Sequence, residues 1–259
     1  MFVQLLQTQP AWEDRAASHT AVRKMLADQP PAPDTLVVLP EMFSTGFSMN
    51  TAVTAQSADH EDERFLAEMA VAYRATVLGG VLTPWAKGEF RNESVTFSPE
   101  GHLLARYAKR QLFSPGGETD CHRPGSEVVT FPWQGFTVCP TVCYDLRFPE
   151  IYRDGVKKGA SLFVVIASWP VKRYHHWLTL LQARAIENLA YVVGVNRCGS
   201  DPHLHYNGRS VVISPHGHII ADAGEGEGSV TARLDLEDLL QWRKSFPALD
   251  DMECSSATI

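Results

Sequence analysis

The chain offers no cysteine pair. Its five cysteines, Cys121, Cys139, Cys143, Cys198 and Cys254, are odd in number and widely spaced, with no CxxC among them. That excludes a disulfide framework and a structural zinc site, and free thiols are expected. No apolar run approaches the roughly 18 residues of a membrane-spanning helix. Met1 leads straight into the strand-like Phe2-Val3-Gln4-Leu5-Leu6-Gln7 without a basic leader, so a soluble, cytoplasmic protein is expected. Positive charge is not in excess either: 23 Lys and Arg face 30 Asp and Glu, for a formal charge of -7. The electrostatic case for nucleic acid or an anionic membrane as partner falls away, and small molecules remain.

Metal-ligand spacing is also missing. His175-His176, His203 with His205, and His216 with His218 combine with no carboxylate or cysteine in a ligand pattern, so neither a metal nor a cofactor is expected. There is no low-complexity tract and no long linker. With 259 residues and 44% hydrophobic content the chain can bury a large core, and one domain spanning 1–259 is the expectation. Only the stretch from about Phe246 reads as a tail, frayed or laid on a partner subunit.

What is present alternates between two periods. Glu61 to Tyr73 carries Phe65, Leu66, Met69, Val71 and Ala72 at spacings close to 3 and 4 with acids in its first turn, which predicts an amphipathic helix. Thr76 to Leu82, with the Gly79-Gly80 pair, reads as a central strand with a close backbone approach. Ser161 to Ala167 and Val192 to Asn196 read as buried strands, with a helix expected over His176 to Tyr191 between them. Strands buried on both faces and separated by helices predict a layered α/β architecture. One repeat adds symmetry: Ser94 to Ala105 aligns without gaps on Ser210 to Ala221, each reading as strand, Ser-Pro-x-Gly turn, strand. Two equivalent hairpins in two different sheets are expected.

Three chemically active residues follow apolar runs. Thr35 to Pro40 stops at Glu41, Tyr107-Ala108 closes on Lys109, and Thr141-Val142 stops at Cys143. A thiol, a carboxylate and an ammonium at strand ends make a nucleophile, a proton carrier and an anion stabiliser. Amide hydrolysis needs all three, because the carbon is a poor electrophile and the departing nitrogen must be protonated. In that chemistry Glu41 is the base, and Lys109 with the backbone N–H of Tyr144 holds the oxyanion. Glu187, in mid-helix, is expected to pair with a nearby arginine instead.

Leu39-Pro40-Glu41, Tyr107-Ala108-Lys109 and Val142-Cys143-Tyr144-Asp145-Leu146-Arg147-Phe148-Pro149 resemble, in order, the three signature segments of the nitrilase (carbon–nitrogen hydrolase) superfamily. Ser168-Trp169-Pro170, Arg173, His176-Trp177, Gln182 to Asn188 and Gly194-Val195-Asn196-Arg197 extend the likeness to its omega-amidase-like branch. The resemblance implies a four-layer αββα sandwich with an internal pseudo-twofold, a homodimer, and a thioester mechanism on an amide substrate with water. It also implies a second glutamate, matched by Glu118, that orients Lys109. Substrate contacts are expected from Arg173, as the carboxylate anchor, and from Trp169, Ser168 and His176. Ser168 stands where the branch has Asn, Gln111 where it has His, and a glycine-rich loop surrounds Glu118. The substrate therefore stays open between a 2-oxo dicarboxylic acid monoamide and a deaminated-glutathione-like or N-carbamoyl compound. A nitrile, or a scaffold without activity, stands further back.

Overall fold

The computed structural model describes residues 1–86 and 88–252. The first half contributes strands β1 (Phe2–Gln7), β2 (Leu36–Val38), β3 (Thr76–Ala86), β4 (Glu89–Phe97) and β5 (Leu103–Ala108), with helices α1 (Arg15–Asp28), α2 (Thr51–Thr54) and α3 (Glu61–Tyr73). The second contributes α4 (Glu118–Cys121), β6 (Phe131–Trp133), β7 (Phe136–Val142), α5 (Pro149–Lys157), β8 (Leu162–Ala167), α6 (Tyr174–Asn188) and β9 (Tyr191–Asn196). The chain closes with β10 (Cys198–Ser200), β11 (His205–Asn207), β12 (Val211–Ile213), β13 (Ile219–Asp222), β14 (Gly228–Arg233) and α7 (Leu236–Ser245).

Two six-stranded sheets run β14-β1-β2-β3-β4-β5 and β6-β7-β8-β9-β12-β13, with β10 and β11 as a separate ribbon. Each sheet has one antiparallel edge strand, a parallel trio, and an antiparallel hairpin. The equivalence extends to detail. In both hairpins the register slips at the same aligned position, between Thr96 and Phe97 and between Val212 and Ile213. The turn glycines, Gly101 and Gly217, both take a left-handed φ of 82° and 85°, a conformation only glycine adopts without steric cost. This is the pseudo-twofold that the repeated hairpin predicts.

Side-chain alternation sets the layers. In β8, Leu162, Val164 and Ile166 join a core shared with Val3, Leu5, Val38 and Tyr107 of the other sheet. The alternate residues Phe163, Val165 and Ala167 pack outward on Trp177, Leu181 and Ala185 of α6. On the first sheet, Val37 and Val77 pack outward against Val22 and Leu26 of α1 and Leu66 and Met69 of α3. Period-two strands with both faces buried thus give helix, sheet, sheet, helix: the αββα sandwich of the nitrilase fold.

The helix α3 and the strands expected at Thr76, Ser161 and Val192 appear within a few residues of their predicted limits. The helix expected over His176 to Tyr191 spans Tyr174–Asn188 instead, because Leu189 turns left-handed at φ 43° and caps it, leaving Tyr191 to open β9. Of the expected tail, Phe246 stacks on Trp242 at 5.2 Å between ring centroids and Met252 accepts from Arg153 at 3.7 Å. The remainder, with Cys254, lies outside the described residues.

Candidate active site

The three strand ends converge at one edge of the sandwich. Beyond β2 the chain reaches Glu41 alongside β3, where the Gly80 N–H donates to the Pro40 carbonyl at 3.1 Å. A Cβ on Gly80 would sit 2.6 Å from the Glu41 Cα, so this crossing requires glycine. Beyond β5, the Lys109 N–H donates to the carbonyl of Asn92 on β4 at 2.9 Å. Beyond β7, Cys143 adopts a left-handed φ of 48° and opens a 3-10 turn over Cys143–Arg147. A non-glycine residue held there costs of order 1–3 kcal/mol, and the bend turns the thiol out of the strand.

Glu41, Lys109 and Glu118 are 0%, 1% and 0% exposed, which makes their mutual pairing decisive. Lys109 Nζ lies 2.8 Å from Glu41 Oε1 and 2.7 Å from Glu118 Oε2. Asn92 bridges the carboxylates: its Nδ2 donates to Glu41 Oε1 at 2.7 Å and to Glu118 Oε1 at 2.9 Å. The backbone N–H of Ser168 donates to Glu41 Oε2 at 2.8 Å, and that of Phe113 to Glu118 Oε2 at 2.6 Å. His122 Nδ1 completes the Glu118 shell at 3.3 Å from Oε1.

Electrostatics follow from this geometry. Burial opposes the Lys109 charge, but Glu118 and Glu41 outweigh it and hold the ammonium above its usual range. Burial also opposes the Glu118 charge, and Lys109, with donors from His122 and Asn92, reverses the balance and pulls the carboxyl well below its usual range. Cys143 goes the opposite way: burial and then the Glu41 charge push its thiol well up, against the pull of Lys109. The resting sulfur is therefore protonated and must lose its proton as it reacts.

Cys143 opens on a recess of about 30 Å³ lined also by Tyr144, Ser168, Trp169, Arg147 and Arg173. Through Phe47, Phe113, Arg173, Leu204 and Tyr206 it continues into an outer cleft of about 450 Å³. Ser168 serves the cluster chiefly through its main chain, so a serine in place of Asn leaves that contact intact. Trp169 is fixed by Asn196, whose Oδ1 accepts its N–H at 2.7 Å. His176 does not line the recess; its exposed ring lies 3.2 Å from Arg147 Nη2. Glu187 pairs with Arg184 at 2.8 Å. Among the described residues no group of three or more His, Cys, Asp or Glu side chains is arranged to hold a metal ion, and no helix is long and apolar enough to cross a membrane.

Three functional candidates escape a reading of the sequence alone. Asn92 becomes visible only once β4 is paired with β5, which sets it beside Lys109. Arg147 stands in the cysteine segment but without a signal separating it from a surface charge. Asp145, in the same segment, is fully buried and accepts from Tyr107, Gln111 and Val142.

Two matched sheets between helix layers, with a glutamate–lysine–glutamate cluster beside a strand-end thiol, define a hydrolase of the nitrilase fold. The chain belongs to the carbon-nitrogen hydrolase family, whose model matches residues 2–244, and it is an amidohydrolase acting on carbon–nitrogen bonds other than peptide bonds. It is 41% identical to the omega-amidase YafV of Yersinia enterocolitica over 84% of each chain. It is 33% identical to the 2-oxoglutaramate amidase of Bacillus subtilis, again over 84% of each. A CN-hydrolase superfamily protein of Xanthomonas campestris, solved with an arsenic adduct in its active site, superimposes with a TM-score of 0.91 at 33% identity, covering 98% of this chain and 97% of that one.

Proposed function

We propose that this chain is an omega-amidase, which hydrolyses the terminal amide of a 2-oxo dicarboxylic acid monoamide through a thioester on Cys143. The observation that carries the proposal is the pair of guanidiniums in the recess. Arg147 and Arg173 both face the space beside Cys143, and among the described residues neither is in an ion pair with a carboxylate. Burial and then the charge of Arg173 lower the pKa of Arg147, as expected of two cations awaiting an anion. Arg147 rests 4.8 Å over the Trp169 ring and Arg173 5.3 Å over the Phe113 ring, and a planar guanidinium is the side chain suited to a bidentate carboxylate contact. The names of the Yersinia and Bacillus relatives point the same way.

In the reaction, Glu41 takes the thiol proton as sulfur attacks the amide carbon, and Lys109 with the Tyr144 N–H holds the oxyanion. Glu41 then returns that proton to the departing nitrogen, which leaves as ammonia, and the acyl group stays on Cys143 as a thioester. A water, deprotonated by Glu41, attacks the thioester carbon. The acid leaves and the thiol is restored.

An ammonia-release panel of 2-oxoglutaramate, 2-oxosuccinamate, glutamine, asparagine and simple aliphatic amides tests the substrate. The oxo acid monoamides should give the highest kcat/KM, and preference for an uncharged amide would overturn the assignment. Arg173→Lys should raise KM for 2-oxoglutaramate by about tenfold or more, the loss of one bidentate contact, with hydrolysis of a neutral amide little changed. Equal effects on both would reject Arg173 as the anchor.

Glu118 accepts four donors on its two oxygens, so it is suited to steady Lys109 and unsuited to carry protons. Glu118→Gln should therefore lower kcat while alkylation of Cys143 by iodoacetamide proceeds at close to the wild-type rate. Glu41→Gln removes the base and should slow both. Wild-type kcat in Glu118→Gln would reject the positioning role.

Two further readings belong with this proposal: a cytoplasmic setting and a homodimer. The dimer draws support from apolar side chains left exposed on α6, β13 and α7. Ile186 of α6 meets the turn at Gly217, the His216 ring lies tilted against Trp242 with centroids 4.3 Å apart, and Trp242 stacks on Phe246, with Ile186, Ile219, Ile220, Leu240 and Phe246 exposed. Sedimentation of Ile186→Glu as a monomer, beside a dimeric wild type, is the expected result.

A further inference from the structure

The three donors to Asp145 are not scattered. Its Oδ2 accepts from the Tyr107 hydroxyl at 2.8 Å and from the Val142 N–H at 2.9 Å, and its Oδ1 from the Gln111 N–H at 2.8 Å. Tyr107 and Gln111 stand two residues before and two after Lys109, and Val142 immediately precedes Cys143. One buried carboxylate thus clamps both flanks of the lysine segment to the base of the cysteine turn, joining two different sheets. From this geometry we infer that Asp145 is a positioning residue that sets the spacing of Lys109 from Cys143, and that it does so only as the carboxylate anion.

The charge requirement comes from the donor count. Two of the three partners are main-chain N–H groups, which cannot turn into acceptors. A carboxyl proton on either oxygen competes with one of them, so protonation weakens a tether on one segment or the other. Asp145 has no ion-pair partner among the described residues. The charged and titratable groups that face it are Lys109 and Tyr107 from the end of the first sheet, Cys139 from β7, and Tyr152 from α5. Burial, opposed by the Val142 and Gln111 N–H groups and by Lys109, pushes its pKa up to about 6. The clamp is then lost as pH falls through about that value.

This inference rests on the proposed roles of Cys143 and Lys109, and the test separates the two. Wild type, Tyr107→Phe and Asp145→Asn are compared for ammonia release between pH 5 and 8.5. An inactive wild type would overturn the proposed function itself; everything below concerns an active one. The wild-type kcat should rise with pH through about 6, the value at which Asp145 ionises. Tyr107→Phe removes one donor to the anion and leaves Glu41 untouched, so the acid limb should move to higher pH while the plateau falls less than about fivefold, as expected for one lost hydrogen bond. Asp145→Asn should lose the limb and lower the plateau kcat by at least about tenfold with KM within about twofold, because positioning acts on the transition state. A limb that stays in place in Tyr107→Phe, or wild-type kcat in Asp145→Asn, overturns the inference. If Asp145→Asn does not fold, Tyr107→Phe decides alone.

Discussion

Replacing Cys143 by alanine should abolish turnover of every amide while leaving the fold and its thermal stability close to wild type. The side chain is half-buried at the recess, so losing one sulfur leaves no enclosed cavity of the kind that makes core truncations costly. Alanine also pays the same left-handed backbone cost as cysteine at φ 48°. Chemistry, by contrast, has no substitute. On the proposed route the acyl group rests on sulfur, and removal of a nucleophile that acts as a unit with its base removes nearly all catalysis. Intact mass of the wild type mixed with substrate should reveal an acyl adduct, localised to Cys143 and absent from the alanine variant. Turnover near the wild-type rate in that variant would exclude a thioester route.

Much of the fold could be read from local patterns. The hairpin repeat foretells two sheets related by a twofold because Ser-Pro-x-Gly fixes each turn by backbone chemistry alone, and the same bulge recurs in both copies. Helix α3 was legible from its periodicity and acidic first turn. The end of α6 was not. A leucine in the left-handed region at Leu189 carries no signature, since any residue other than glycine there depends on tertiary support for its strained conformation.

At the site, the legible residues are those whose chemistry is marked by position. Glu41, Lys109 and Cys143 each follow an apolar run that ends abruptly. Asn92, Arg147 and Asp145 carry no such mark, because their significance lies in partners far along the chain. Asn92 reaches Glu41 51 residues away and Glu118 26 residues away, and Asp145 reaches Tyr107 across 38. Strand register, not residue type, decides those meetings. His176 illustrates the reverse case: it stands near the right segment, but the first turn of α6 carries it onto the outside of Arg147.

Lys109→Met should lower kcat by about 10² to 10³, the cost of one oxyanion donor, and should also destabilise the protein. The two effects have different causes. Nζ is the bridging cation between Glu41 and Glu118, both 0% exposed, and a thioether of similar length fills its space without its charge. Removing one partner from a buried ionic cluster costs about 3–5 kcal/mol, because the opposing charge stays behind. Here two stay behind, both bonded to the single amide of Asn92, and one of them must retain a proton to relieve the repulsion. Its folded pKa then lies above its unfolded value. Such a group stabilises the fold below the unfolded pKa, and that stabilisation is lost as pH rises through the folded one. The stability deficit of Lys109→Met relative to wild type should accordingly shrink as pH falls from about 8 to about 5, measured by thermal or urea unfolding. The kcat deficit should persist across the same range, since a proton shared between carboxylates restores no donor to the oxyanion. A deficit confined to KM would remove Lys109 from the chemistry, and a stability deficit independent of pH would mean that the two carboxylates do not sense each other once the lysine is gone.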